Sequence, residues 1–188
     1  MPMSLRAAAL TASSVLLVAA CGGPTVFTRP TSDVAAIRTV AVLPFENLAN
    51  GDRAAADRVH QLMLAEIQAG GAFEVVEPGL VAKALRERGT APSALTPDDL
   101  KVLGDSLDAE ALLIGAVLSY TDARGIDGGG EATIQIRLVD TRSGATVWSA
   151  SHSRKGSTFA KRLFGLPGDS GTEVARAIIR SELQTLPR

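Results

Sequence analysis

The sequence has few of the residues that build disulfides and metal sites. It contains one cysteine, Cys21, and two histidines, His60 and His152. A lone cysteine cannot form a disulfide within the chain, although secreted proteins often carry such bridges. Two separate histidines do not complete a closed zinc shell, and no acidic cluster has the spacing of a calcium loop. The sequence therefore predicts no metal site and no cofactor, and it places both histidines on the solvated surface.

An excess of charge of one sign is also missing. The 188 residues include 19 Lys and Arg against 20 Asp and Glu, a formal net charge of −1. No basic cluster has the pattern of a nucleic-acid footprint or of a polybasic membrane surface, so neither kind of contact is predicted. Beyond the N-terminus, no stretch approaches the roughly 20 apolar residues that a membrane-spanning helix requires.

The N-terminus has the pattern of a lipoprotein signal over residues 1–20. Arg6 precedes a short apolar stretch, residues 7–20, which ends in small residues, as secretory signals do. The string Val-Ala-Ala-Cys ending at Cys21 resembles a lipobox, in which the cysteine is acylated before the signal is removed. We therefore predict lipidation at Cys21, and more than one acyl chain would make the anchor stable. The alternative is an ordinary secretory signal that happens to precede a cysteine.

After the signal, the chain is expected to form a tether and one domain. Residues 21–37 are interpreted as the lipidated cysteine and a flexible tether, and residues 38–188 as a single α/β domain. Apolar runs predict strands at 39–45, 73–76, 111–118, 132–138 and 145–149. Apolar spacing and capping signals predict helices at 54–69 and 79–88, one starting at Thr96, and one starting at Ser170. The last helix is expected to present Val174, Ala177, Ile178, Leu183 and Leu186 to the core. This order favours one mixed sheet of about five strands with helices packed on it.

One segment resembles catalytic machinery. Gly168-Asp169-Ser170-Gly171 is similar to the nucleophile segment of trypsin-like proteases. A serine nucleophile needs a base in the right structural context, and the element order does not fit a double β-barrel. Ser170 and Glu173 also fit a capping box, which explains the same residues. We therefore predict no catalytic residue and no enzyme. The glycine-rich segment 125–130 is interpreted as a mobile loop, because it lacks the context of a phosphate-binding loop.

Two segments are better suited to binding. The first is Phe45, Glu46 and Asn47, which follow the first predicted strand, where open α/β sheets place ligand sites. The second mixes basic and apolar residues and consists of Phe159, Lys161, Arg162 and Phe164. Exposed aromatics beside basic residues are typical of interaction surfaces. The alternative is that these aromatics pack beneath the last helix, because large apolar residues are usually buried.

Several segments together resemble a group of bacterial envelope lipoproteins. They are VAVLPFEN at 40–47, FEVVE at 73–77, the strand at 112–120 and the hairpin IRLVDTRSG with VW at 136–148. The group includes the curli-secretion lipoprotein CsgG, the penicillin-binding-protein activator LpoB and the N-terminal domain of TolB. The resemblance implies a TolB N-terminal-domain-like fold and a non-enzymatic role in envelope assembly or secretion, with an envelope protein as partner. Gly22 after the cysteine, rather than Asp, implies the periplasmic face of the outer membrane.

The sequence departs from the curli channel in its loops. Each membrane strand of a pore hairpin needs about 9–11 alternating residues, and the loops at 121–130 and 155–169 are too short for two. A curli-type pore is therefore not expected. A ring-forming homo-oligomer within a secretion apparatus is the alternative to a single protein-binding domain.

Overall fold

A computed structural model describes residues 22–122, 128–157 and 163–187. Its strands are β1 (Thr25–Thr28), β2 (Thr39–Val42), β3 (Glu46–Asn47), β4 (Glu74–Val75), β5 (Ala111–Thr121), β6 (Glu131–Asp140) and β7 (Ala145–Lys155). Its helices are α1 (Ala55–Gly70), α2 (Pro78–Arg88), α3 (Pro97–Leu107) and α4 (Gly171–Leu183). The predicted signal at 1–20 and lipidation site Cys21 lie outside the described residues, as do Phe159, Lys161 and Arg162.

All the strands belong to one mixed sheet. The strand order is β1-β7-β6-β5-β2-β4, and β3 also pairs with β5. β2 lies parallel to β4 and β5, whereas β5, β6, β7 and β1 form successive antiparallel pairs. The prediction of an α/β fold with a single mixed sheet is confirmed.

The sheet has seven strands among the described residues, two more than predicted. The first addition is β1, whose residues Thr25–Thr28 pair with Trp148–Ser151 of β7. The glycines and prolines around this segment favoured a tether, but Thr-Val-Phe-Thr itself has high strand propensity. The second addition is β3, which resumes pairing with β5 directly after Pro44 and Phe45. The flexible-tether prediction is therefore wrong for Thr25–Thr28.

Helices cover both faces of the sheet, but unequally. On one face, α1 and α4 bury a core that runs from β2 to β7 and includes Val42, Ile136 and Trp148. On the other face, α2 and α3 bury a smaller core over β2 and the start of β5, with Leu43, Leu103 and Leu112. The strands of the second half of the sheet consequently have one covered face and one face without a helix among the described residues.

Two of the helix starts follow the predicted capping chemistry. The Thr96 hydroxyl accepts the Asp99 N–H at 3.2 Å, and the Asp99 carboxylate accepts the Thr96 N–H at 3.0 Å. Ser170 and Glu173 make the same reciprocal pair at the start of α4, at 3.3 and 2.7 Å. Both are complete capping boxes, so Ser170 has a structural role of the kind predicted.

Candidate interaction surfaces

The uncovered half of the sheet presents a continuous polar surface, called here the open face. Cross-strand register places its members side by side, because directly paired residues point to the same face. The open face consists of Thr25, Phe27, Ser119, Thr133, Gln135, Arg137, Ser149, Ser151 and Ser153. Phe27 has a side chain 49% exposed and supplies the only large apolar group in this set.

Hydroxyl groups on the open face bond to one another. The Ser119 hydroxyl donates to Thr133 Oγ1 at 2.9 Å, and the Thr133 hydroxyl donates to Ser153 Oγ at 3.0 Å. Where β6 begins and β7 ends, Lys155 forms an ion pair with Glu131 at 3.3 Å. These groups already satisfy part of their hydrogen-bonding capacity within the sheet. Polar, hydrated surfaces with an aromatic anchor are common in protein–protein interfaces.

The three residues of the first predicted binding segment lie in different environments. Phe45 is 7% exposed, and its ring lies directly on Gly115, where an added Cβ would be 2.4 Å from the Phe45 Cζ atom. Asn47 shapes the following loop, since its side-chain amide donates to the carbonyl oxygens of Asp52 and Arg53 at 2.8 and 3.1 Å. Glu46 alone is exposed. The structure therefore gives Phe45 and Asn47 packing and loop-ordering roles and leaves Glu46 accessible.

The surface prediction for the two histidines is wrong. The His60 ring packs against Phe45 with centroids 5.7 Å apart, and burial lowers the pKa of His60 below its ordinary value of 6.5. His152 is half-buried, and its Nε2 lies 3.1 Å from the carbonyl oxygen of Gly22. A lone polar residue on a half-buried strand or helix gave no sequence signal of this burial.

Glycines hold two loops together at one end of the sheet. This glycine junction consists of Gly128, Gly129, Gly130, Gly156 and Gly168. Gly130 donates to the Asp169 carbonyl at 2.7 Å, and Gly156 donates to the Gly130 carbonyl at 2.7 Å. A Cβ on Gly130 would lie 2.2 Å from the backbone nitrogen of Gly171, closer than any side chain can approach. The mobile-loop prediction is therefore wrong for Gly128–Gly130, while Gly125 lies outside the described residues.

The loop that leaves the glycine junction carries three exposed apolar residues, called here the apolar tip. They are Leu163, Phe164 and Leu166, with exposed fractions of 67%, 73% and 52%. The alternative in which the aromatics of this segment pack beneath the last helix is wrong for Phe164. Exposed apolar clusters of this kind mark contacts with proteins or membranes.

A groove of about 540 Å³ lies at the opposite end of the molecule. Its apolar walls come from the ends of α1 and α4 and from the segment before β2; they are Val34, Ile37, Ile67, Phe73, Leu183 and Leu186. Glu66 at its rim pairs with Arg180 at 2.7 Å and with Arg176 at 3.5 Å. No signal in the sequence pointed to this groove, because its walls come from three separate segments of the chain.

Neither a cluster of metal-ligating side chains nor a membrane-spanning helix occurs in the described part of the chain. Over residues 22–122, 128–157 and 163–187, no three His, Cys, Asp or Glu side chains are grouped closely enough to hold a metal ion. Over the same residues, no helix combines the length and apolar character needed to cross a bilayer.

The fold is similar to that of several small α/β domains of known structure, one of which is a lipoprotein. No protein-family model matches the chain, and no curated protein sequence matches it. Among solved structures, the PelC dodecamer from Paraburkholderia phytofirmans is similar with a TM-score of 0.58 and 21% identity, over 89% of this chain and 100% of that chain. The lipoprotein GNA1162 from Neisseria meningitidis is similar with a TM-score of 0.51 and 19% identity, over 68% of this chain and 91% of that chain.

LpoB, which the sequence resembles, is also among the similar structures. The C-terminal domain of LpoB from Escherichia coli matches with a TM-score of 0.50 and 18% identity, over 65% of this chain and 86% of that chain. The likeness to LpoB therefore holds for the fold. The likeness to CsgG and to the N-terminal domain of TolB remains a prediction from the sequence.

Proposed function

We propose that this chain is a lipid-anchored, non-enzymatic protein of the outer membrane, facing the periplasm, that binds another envelope protein through its open face. The observation that carries the proposal is that half of the sheet has one face without a helix among the described residues. Covering a sheet face with a helix is the usual way to bury it, and here the chain instead builds an ordered polar surface. The fold shared with GNA1162, which is a lipoprotein, supports placement in the envelope.

The chemistry of the open face indicates what it binds. Arg137 lies near its centre and Phe27 near its edge, and both residue types are enriched in protein interfaces relative to the rest of the surface. Gln135 is exposed two residues from Arg137 on the same face of β6, and its amide can donate and accept hydrogen bonds. The partner is therefore a folded protein surface that offers carboxylates or carbonyls to Arg137 and an apolar recess to Phe27.

Charge reversal on the open face tests the proposal. Membranes from cells producing the full chain are dissolved in mild detergent and analysed by blue native electrophoresis. The wild-type chain is expected to migrate as a complex with its partner. The double variant Gln135→Glu/Arg137→Glu is expected to migrate without the partner, because the substitutions place two carboxylates on the interface. The matched control is Lys83→Glu on the exposed side of α2, which is expected to remain in the complex. Equal behaviour of the two variants would contradict the proposal.

A second candidate is that the partner is the chain itself, assembled into a ring. The observation that favours it is the similarity to PelC, which covers the whole of a chain that forms a dodecamer. Light scattering after gel filtration of the lipidated protein in detergent distinguishes the two. A discrete high-order oligomer supports the ring, and a monomer supports a different envelope protein as partner.

A further inference from the structure

The N-terminus and the apolar tip lie at the same end of the sheet. β1 runs antiparallel to β7 with Thr25 opposite Ser151, so the residues before Thr25 run beside the C-terminal end of β7. The contact between the Gly22 carbonyl and His152 Nε2, at 3.1 Å, follows this direction. β7 then ends at Lys155 and leads directly into the glycine junction.

The position of Gly22 limits how far the predicted lipid can lie from the domain. Cys21 immediately precedes Gly22, and successive Cα atoms are about 3.8 Å apart. A lipid on Cys21 would leave the protein within a few ångströms of the C-terminal end of β7. Because β1 begins at Thr25, only three residues, 22–24, separate Cys21 from the paired strand, and they limit the distance between the domain and the bilayer.

The apolar tip is held at this end by backbone contacts. The loop leaves β7 at Gly156 and returns at Gly168, where an added Cβ would lie 2.6 Å from the Gly128 carbonyl oxygen. Asp169 donates to the Gly156 carbonyl at 3.1 Å and closes the loop base. Leu166 is thus two residues from a fixed point, and the three exposed side chains remain close to the sheet end that carries Gly22.

We propose that the apolar tip, Leu163, Phe164 and Leu166, inserts into the interfacial region of the phospholipid bilayer that holds the lipid on Cys21. This inference rests on the lipid anchor of the proposed function. The lipid anchor holds the apolar tip close to the bilayer and raises the effective concentration of lipid there. Even a weak apolar attraction is then enough to keep the tip in contact with the bilayer. Leu and Phe are residue types that enter the boundary between headgroups and acyl chains. The exposed Arg154, near the end of β7, is suited to the anionic headgroups beside them.

The orientation that results is compatible with the open face. The apolar tip and Gly22 mark one end of the strands rather than a face of the sheet. With that end on the bilayer, the strands run away from the membrane and the open face points sideways. A partner bound to the same membrane then reaches the open face without displacing the tip.

A tryptophan placed in the tip reports on lipid contact. The chain has a single tryptophan, Trp148, which is fully buried and serves as a constant background. The full lipidated chain carrying Phe164→Trp is reconstituted into vesicles of phosphatidylethanolamine and phosphatidylglycerol that include acyl-chain-brominated lipid. The matched control is Leu80→Trp on α2, an exposed site that shares a surface groove with Leu107 and Asp108, just before β5. We expect bromine to quench the added tip fluorescence at least about twofold more than that of the control, because quenching requires contact with acyl chains.

Three other outcomes overturn the proposal in distinguishable ways. Equal quenching of the two variants means that the anchored domain does not insert its tip. Protection of the tip from aqueous acrylamide without bromine quenching means that a protein covers it. Failure of the wild-type chain to float with vesicles, with no lipid mass on Cys21, overturns the anchor of the proposed function as well as this inference.

Discussion

The carboxyl group of Glu182 is the most unusual titratable group in the core. Its side chain is 0% exposed, on the buried side of α4, and neither carboxyl oxygen has a hydrogen-bond partner. Burial raises the pKa of Glu182 to about 9, so the group is protonated in the folded chain at neutral pH. In the unfolded chain it ionises near its ordinary value of 4.5. The folded state therefore binds one more proton than the unfolded state between these two values.

This difference predicts a loss of stability with rising pH. The contribution of Glu182 is fully present below about pH 4.5 and declines as the pH rises towards 9. At pH 7 the raised pKa of Glu182 lowers the free energy of unfolding by about 3 kcal/mol. Glu182→Met keeps a similar size without charge, so we expect its free energy of unfolding at pH 7 to increase by about 2–3 kcal/mol. Urea unfolding at pH 5, 7 and 9, followed by Trp148 fluorescence, measures this.

The control for Glu182 is an exposed glutamate on another helix. Glu87→Met changes a side chain that is 67% exposed and is expected to alter stability by less than about 0.5 kcal/mol at each pH. A wild-type free energy of unfolding that does not decline between pH 5 and 9 would contradict the protonated state of Glu182.

Glu182 also shows a limit of sequence reasoning at the scale of single residues. The spacing of apolar residues predicted α4 and its capped start, but it assigned Ala177, Leu183 and Leu186 to the buried side. The buried residues of the helix include Ala175, Ile179 and Glu182 instead, and the three assigned residues are half-buried. Any hydrophobicity pattern assigns a glutamate to the exposed side of a helix. The predicted buried side was therefore rotated slightly around the helix axis from the observed one.

Among the structural elements, the glycine junction is the one most sensitive to a single methyl group. In Gly130→Ala the added Cβ meets the backbone of Gly171, which has no flexible side chain to move aside. We expect a loss of about 1–3 kcal/mol in the free energy of unfolding. The same substitution at Gly79 on α2, where nothing lies within 4 Å, is expected to be neutral or to stabilise by up to about 1 kcal/mol. Comparable stability of the two variants would mean that the two loops are not packed as described.

The start of α4 gives a second prediction at this scale. Ser170→Ala removes the side-chain acceptor of the capping box and is expected to cost about 1 kcal/mol. Ser170→Asn is expected to recover most of that loss, because asparagine caps as well as serine. Thr96→Ala at the start of α3 is the parallel case and is expected to show a similar cost. Thermal unfolding of the three variants measures this, and full stability of Ser170→Ala would contradict the capping role.

The strands show which elements the sequence could reveal. The five predicted strands have apolar runs or alternation, and each overlaps a strand of the sheet. β1 and β3 were missed because each is short and adjoins proline or glycine, which favour loops in any local pattern. Their pairing depends on β7 and β5, which lie far away in the sequence. The same reason explains why the open face could not be predicted, since cross-strand register places its residues together.

At the scale of the whole molecule, the surfaces divide between two ends and one face. One end carries Gly22 and the apolar tip, and the other carries the groove between the ends of α1 and α4. The second predicted binding segment is represented among the described residues by Phe164, which is strongly exposed. Binding by Glu46 remains a prediction; strand register places this exposed residue beside Ala116 and Gln135, at the margin of the open face.

The central claim is that protein binding takes place on the open face. A photo-crosslinking amino acid at position 135 in the full chain, activated in living cells, tests it most directly, with the same amino acid at position 80 as the control. We expect a discrete adduct from position 135, with another envelope protein or with a second copy of the chain, and none from position 80. No adduct at position 135, or the same adducts at both positions, would contradict it.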